Sequence, residues 1–86
     1  APSPVVALNH AVAVGFADGP RAGLALLDPL VASGELEAYQ PFWAAVAELR
    51  ARSGDAPGAR AAYERAIALS ANEVEREELL DENAAE

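Results

Sequence analysis

The chain has 86 residues, a formal net charge of −8, and neither cysteine nor methionine. A single domain of this size buries only roughly 60–65% of the surface its unfolded chain exposes, and the lack of thiols excludes disulfides and thiolate zinc sites and fits a reducing compartment. The six basic residues are all arginine and none are clustered, while residues 72–86 hold seven acids against Arg76 alone, which argues against direct contact with DNA or RNA.

Residues 1–17 carry no formal charge. They lack a basic leader, and Asn9 and His10 interrupt a stretch too short to span a bilayer, so a buried helix is expected and not a membrane segment. Ser3-Pro4 is an N-cap followed by a first-turn proline. It opens a helix over 4–17 whose apolar stripe is Val5, Val6, Leu8, Val12 and Phe16. Asp18-Gly19-Pro20 breaks the chain, and turn chemistry accounts for all three residues. A second helix begins at Pro20 with Leu24, Leu26, Leu27, Leu30 and Val31 on its apolar face. Pro29 falls inside it and is expected to kink it or end it near Asp28. Gly34 supplies a C-cap.

Residues 35–40 form a connector, with one helical turn around Leu36 and Tyr39. A third helix over 41–52 buries Phe42, Trp43, Val46 and Leu49. After the break at 53–58, a fourth helix over 57–70 buries Ala59, Ala62, Tyr63, Ala66, Ile67 and Leu69. Asn72 and Glu75 form a capping-box pair that starts a last helix over 73–82. Its large apolar residues are Val74, Leu79 and Leu80, and the end beyond them is expected to fray.

Overlaying the halves reveals a repeat at an offset of 37: Val6 with Trp43, Ala17-Asp18 with Gly54-Asp55, Ala22 with Ala59, Leu26 with Tyr63. The second copy resembles the tetratricopeptide repeat, with Trp43 at its early large position, Ala47, Ala59 and Ala66 at the small crossing positions, and Tyr63 at its aromatic position. The first copy is a degenerate version. The resemblance implies an all-α fold of tetratricopeptide-like antiparallel hairpins, an α-α superhelix of about five helices. Its first hairpin covers 4–33, its second 41–70, and the helix over 73–82 caps it. In such arrays the first helix of each hairpin lines the concave face, which implies protein contacts at Ala7, Ala11, Val14, Ala44, Glu48 and Arg52. That mostly small, apolar wall suits a docked helix.

The run from Pro2 to Val14, Asp18-Gly19-Pro20, residues 23–28 and residues 59–69 together resemble the C-terminal extension of one subgroup of bacterial extracytoplasmic-function sigma factors. The resemblance implies a fragment of a longer cytoplasmic protein that directs RNA polymerase to promoters. This region would be regulatory and would contact the other sigma-factor domains, the polymerase core or a protein regulator. The lysine-free, alanine- and arginine-rich composition, as in GC-rich bacterial genomes, agrees. A tetratricopeptide adaptor from an unrelated scaffold protein is the alternative. Exposed apolar ends on so short an array also permit a homodimer.

No catalytic, metal or cofactor site is expected. His10 is the only histidine, and the next charge in the chain is Asp18, roughly two helical turns away. A lone histidine without cysteine makes a poor zinc site. The even spacing of Gly15, Gly19 and Gly23 follows no strand, so it is not a phosphate loop. The pair Phe42-Trp43 has the composition of a stacking platform, but the repeat register assigns it to packing.

Overall fold

A computed structural model describes residues 3–85, with side chains described for residues 3–72. The fold is all-α: α1 Pro4–Asp18, α2 Pro20–Ser33, α3 Gln40–Arg52 and α4 Ala56–Ala85, and no strand occurs among the described residues. Helix α1 packs along α2 and α3 along α4, while α3 also lies against α2 and, over a shorter length, α1.

Local chemistry sets the helix ends. The Ser3 hydroxyl accepts the Val6 N–H at 3.2 Å, and Pro4 occupies the first helical position, where no N–H is required. One residue, Gly19, joins α1 to α2. Its φ of 111° lies where a side chain would be strained, so the sharp reversal depends on glycine. The Asp55 carboxylate accepts the Gly58 N–H at 3.0 Å and caps the start of α4.

Two expectations about helix bounds change. Pro29 neither kinks α2 enough to divide it nor ends it, because α2 runs on to Ser33. The proline is exposed and removes only one backbone bond, while Leu27 before it and Leu30 and Val31 after it pack against a single core. The fourth helix and the separate capping helix are one helix, α4, so the described fold has four helices and not five. After Gly58 there is neither glycine nor proline, and the alanine-rich sequence through residue 72 has high helix propensity. Asn72 therefore has no chain break to cap. The side chains of Val74, Glu75, Leu79, Leu80 and the other acidic residues after Asn72 lie outside the described residues.

The core runs along the seam between the hairpins. Ala11, Leu27, Phe42, Val46, Ala47, Leu49 and Ala62 are its most buried members, and Leu8, Trp43 and Ala66 join them. At the α1–α2 crossing, two glycines and an alanine allow close approach. A Cβ on Gly23 would lie 2.7 Å from the Gly15 Cα and 2.8 Å from the Ala11 carbonyl oxygen. Leu49 then covers the crossing from α3. Trp43 is 7% exposed, meets the Phe42 ring edge-on at 5.0 Å, and donates its indole N–H to the Glu37 carbonyl at 2.8 Å. That bond ties the connector to the core.

The stripes are less continuous than the sequence implies. Phe42, Trp43, Val46 and Leu49 are all buried, but Val6 is 59% and Phe16 57% exposed on α1, and Leu26 is exposed on α2. On α4, Tyr63 is 41% and Ile67 67% exposed, while Ala59, Ala62 and Ala66 are buried. Close helix approach selects the alanine stripe of α4 for the seam and turns its larger residues outward.

Candidate protein-interaction face

Helix α1 carries three of the six residues implied as contacts. Ala7 and Val14 are half-buried, and Ala11 is fully buried beneath them in the core. Helix α3 carries the others, with Ala44 and Glu48 half-buried and Arg52 exposed. The structure brings Glu48 and Arg52 together. Spaced one turn apart, they form an ion pair in which the Arg52 Nε donates to Glu48 Oε1 at 2.9 Å. Both side chains are about half exposed, with 51% and 46% of their surfaces open, so the pair adds only roughly 0.3–0.5 kcal/mol. Its main effect is to fix where the charges point.

Two aromatic residues that the sequence pattern assigned to the core join this pair at the surface. The Arg52 guanidinium lies 4.6 Å from the centre of the Phe16 ring, in cation–π range. The Tyr63 hydroxyl donates to Glu48 Oε2 at 3.4 Å. Phe16 from α1, Arg52 and Glu48 from α3, and Tyr63 from α4 thus make one exposed strip of ring faces and fixed charge. The repeat register holds the signal that would have revealed it. Arg52 stands where the first hairpin has the buried Gly15, and Glu48 where it has the buried Ala11. Charges at both positions mean that this side of the second hairpin faces solvent.

A second feature surrounds Trp43. The Arg65 guanidinium lies 4.6 Å from the centre of the indole ring and pairs with Glu37 at 3.6 Å. Shallow grooves lined by Val31, Ala68, Gly34 and Glu37 meet at these residues. Arg65 lies on no apolar stripe, so the sequence pattern gives it no role.

The face has the means to bind a protein surface by shape, aromatic contact and paired charge. His10 is exposed on α1, and no group of three or more His, Asp or Glu side chains is placed to hold a metal ion among the described residues. No helix among them is long and apolar enough to cross a membrane.

No protein-family model matches the chain, and no solved structure matches it. An uncharacterized protein of Rhizobium meliloti (strain 1021) is 47% identical over 72 residues, which are 83% of this chain. The chain spans only 16% of that relative's length.

Proposed function

We propose that the chain is a non-catalytic, tetratricopeptide-like regulatory region of an extracytoplasmic-function sigma factor, acting in transcription initiation in the bacterial cytoplasm. It works by protein contact, with the promoter-binding domains of the same sigma factor, the polymerase core or a protein regulator as partners. The observation that carries this reading is the sequence run from Pro2 to Val14 followed by Asp18-Gly19-Pro20 and residues 23–28. Two packed helical hairpins, small residues at the α1–α2 crossing and an aromatic strip with paired charge are compatible with it. Similarity to a segment of a much longer bacterial protein supports a role as one part of a larger chain.

The decisive test is promoter-directed transcription by purified RNA polymerase, with the full-length parent chain and with the same chain lacking this segment. A several-fold change on removal is the expected result. Unchanged transcription overturns the proposal, and a parent that consists of further helical repeats and fails to bind polymerase makes the segment an adaptor. The 86-residue chain alone is expected to retain no DNA at physiological salt in a filter-binding assay, since its basic residues are few and dispersed. Salt-sensitive micromolar retention would contradict that.

A further inference from the structure

The two hairpins share a register, yet their outer faces differ. Leu8, Ala11, Gly15, Gly23 and Leu27 of the first hairpin are buried, and Leu49 of the second packs directly on both glycines. At the offset of 37, the last four of these correspond to Glu48, Arg52, Arg60 and Glu64 in the second hairpin. All four are charged, and none is buried. Stacking a further hairpin there would desolvate four charges, so that end of the array is closed.

The opposite end has different chemistry. Phe42, Trp43, Val46 and Leu49 of the second hairpin are buried in one core with Leu8, Ala11 and Leu27 of the first. Their counterparts are Val5, Val6, Asn9 and Val12, which carry no charge. Trp43 is 7% exposed where its counterpart Val6 is 59% exposed, and Phe42 is 1% exposed where Val5 is 37%. The difference has a visible cause: α2 and α1 pack on the second hairpin from that side, the connector and Arg65 complete the cover over Trp43, and no described element covers the first. We infer that the Val5–Val6 face of α1 is a docking site for a helical hairpin that presents an aliphatic and small-residue surface like that of Leu27, Gly23 and Ala11. The inference rests on the repeat register and not on the transcriptional role. Asn9 and His10 stand where the internal seam has Val46 and Ala47. They make the contact weaker than that seam and suit it to reversible docking.

The test supplies such a hairpin covalently, by placing a second copy of residues 3–39 directly before Ser3 of the chain. The extended chain is expected to melt several degrees above the parent, with slowed amide exchange at Val5, Val6 and Asn9 of the original α1. Val6→Asp in that helix is expected to abolish the gain. In the 86-residue chain the same change leaves stability intact, because Val6 is exposed and an acid in the first turn is favourable. A parallel version with Asn9→Val and His10→Ala checks that the added hairpin can dock. No gain with the native face overturns the inference, whatever the altered face does, as does a gain that Val6→Asp leaves untouched. Neither outcome bears on the transcription assay, so the two readings fail separately.

Discussion

Gly23 and Gly15 face each other across the α1–α2 crossing, but they differ in what a methyl group would strike. At Gly23 it would meet backbone, at 2.7 Å from the Gly15 Cα and 2.8 Å from the Ala11 oxygen. At Gly15 it would meet the flexible end of Leu49, at 2.7 Å. Alanine improves helix propensity by about 1 kcal/mol at either site, whereas forcing two helices apart costs about 1–3 kcal/mol. Gly23→Ala is therefore expected to lower the urea midpoint clearly and Gly15→Ala to change it far less. Equal losses would mean that Leu49 is as immobile as the backbone. Trp43 gives the second residue-scale prediction. Its ring is buried against Phe42, covered by Arg65 and bonded to the Glu37 carbonyl. Trp43→Ala is expected to cost about 3–5 kcal/mol in chemical denaturation, a large share of the stability of a domain this size. A negligible loss would make the indole a surface contact.

At the scale of elements, Pro29 is the informative case. A proline in a helix interior gives up one backbone bond and crowds the preceding turn, and α2 continues through it because residues on both sides are held by the core. The cost of the missing bond and the crowding remains in the native state. Pro29→Ala relieves it, partly offset by the greater freedom of the unfolded chain, and is expected to raise stability by about 1–2 kcal/mol in a thermal melt. A fall in the melting temperature would mean that the exposed ring packs usefully. The same balance explains α4. A capping-box pair starts a helix only where the chain has stopped being helical, and between Gly58 and Asn72 no residue stops it.

At the scale of the molecule, the hairpin pair is polar at one end in the sense of direction: uncharged and partly apolar on α1, charged on the far side of α3 and α4. Arg60 and Glu64 occupy the register of Gly23 and Leu27. Restoring that pattern with Arg60→Ala and Glu64→Leu creates a surface complementary to the Val5–Val6 face of another copy. Such a contact is head-to-tail and does not close on itself. Sedimentation at increasing concentration is expected to reveal larger species for this double variant than for the native chain. Equal behaviour of the two would mean that these charges are not what closes the array.

The sequence by itself determined the all-helical class, a chain break at Asp18-Gly19-Pro20, the starts of α1 to α3 within a residue, and the burial of Phe42, Trp43, Val46 and Leu49. Caps, helix breakers and periodicity act over a few residues, so a linear pattern carries them. The tertiary structure alone decided which apolar residues reach the seam. Close helix approach took Ala59, Ala62 and Ala66 and left Tyr63 and Ile67 outside, and the lack of a described neighbour on one side left Val6 open while its repeat partner Trp43 was covered. It also decided that Phe16 and Tyr63 join Glu48 and Arg52 in one strip, because that grouping draws on three helices. Burial depends on what lies across the gap, and periodicity within one helix does not record that.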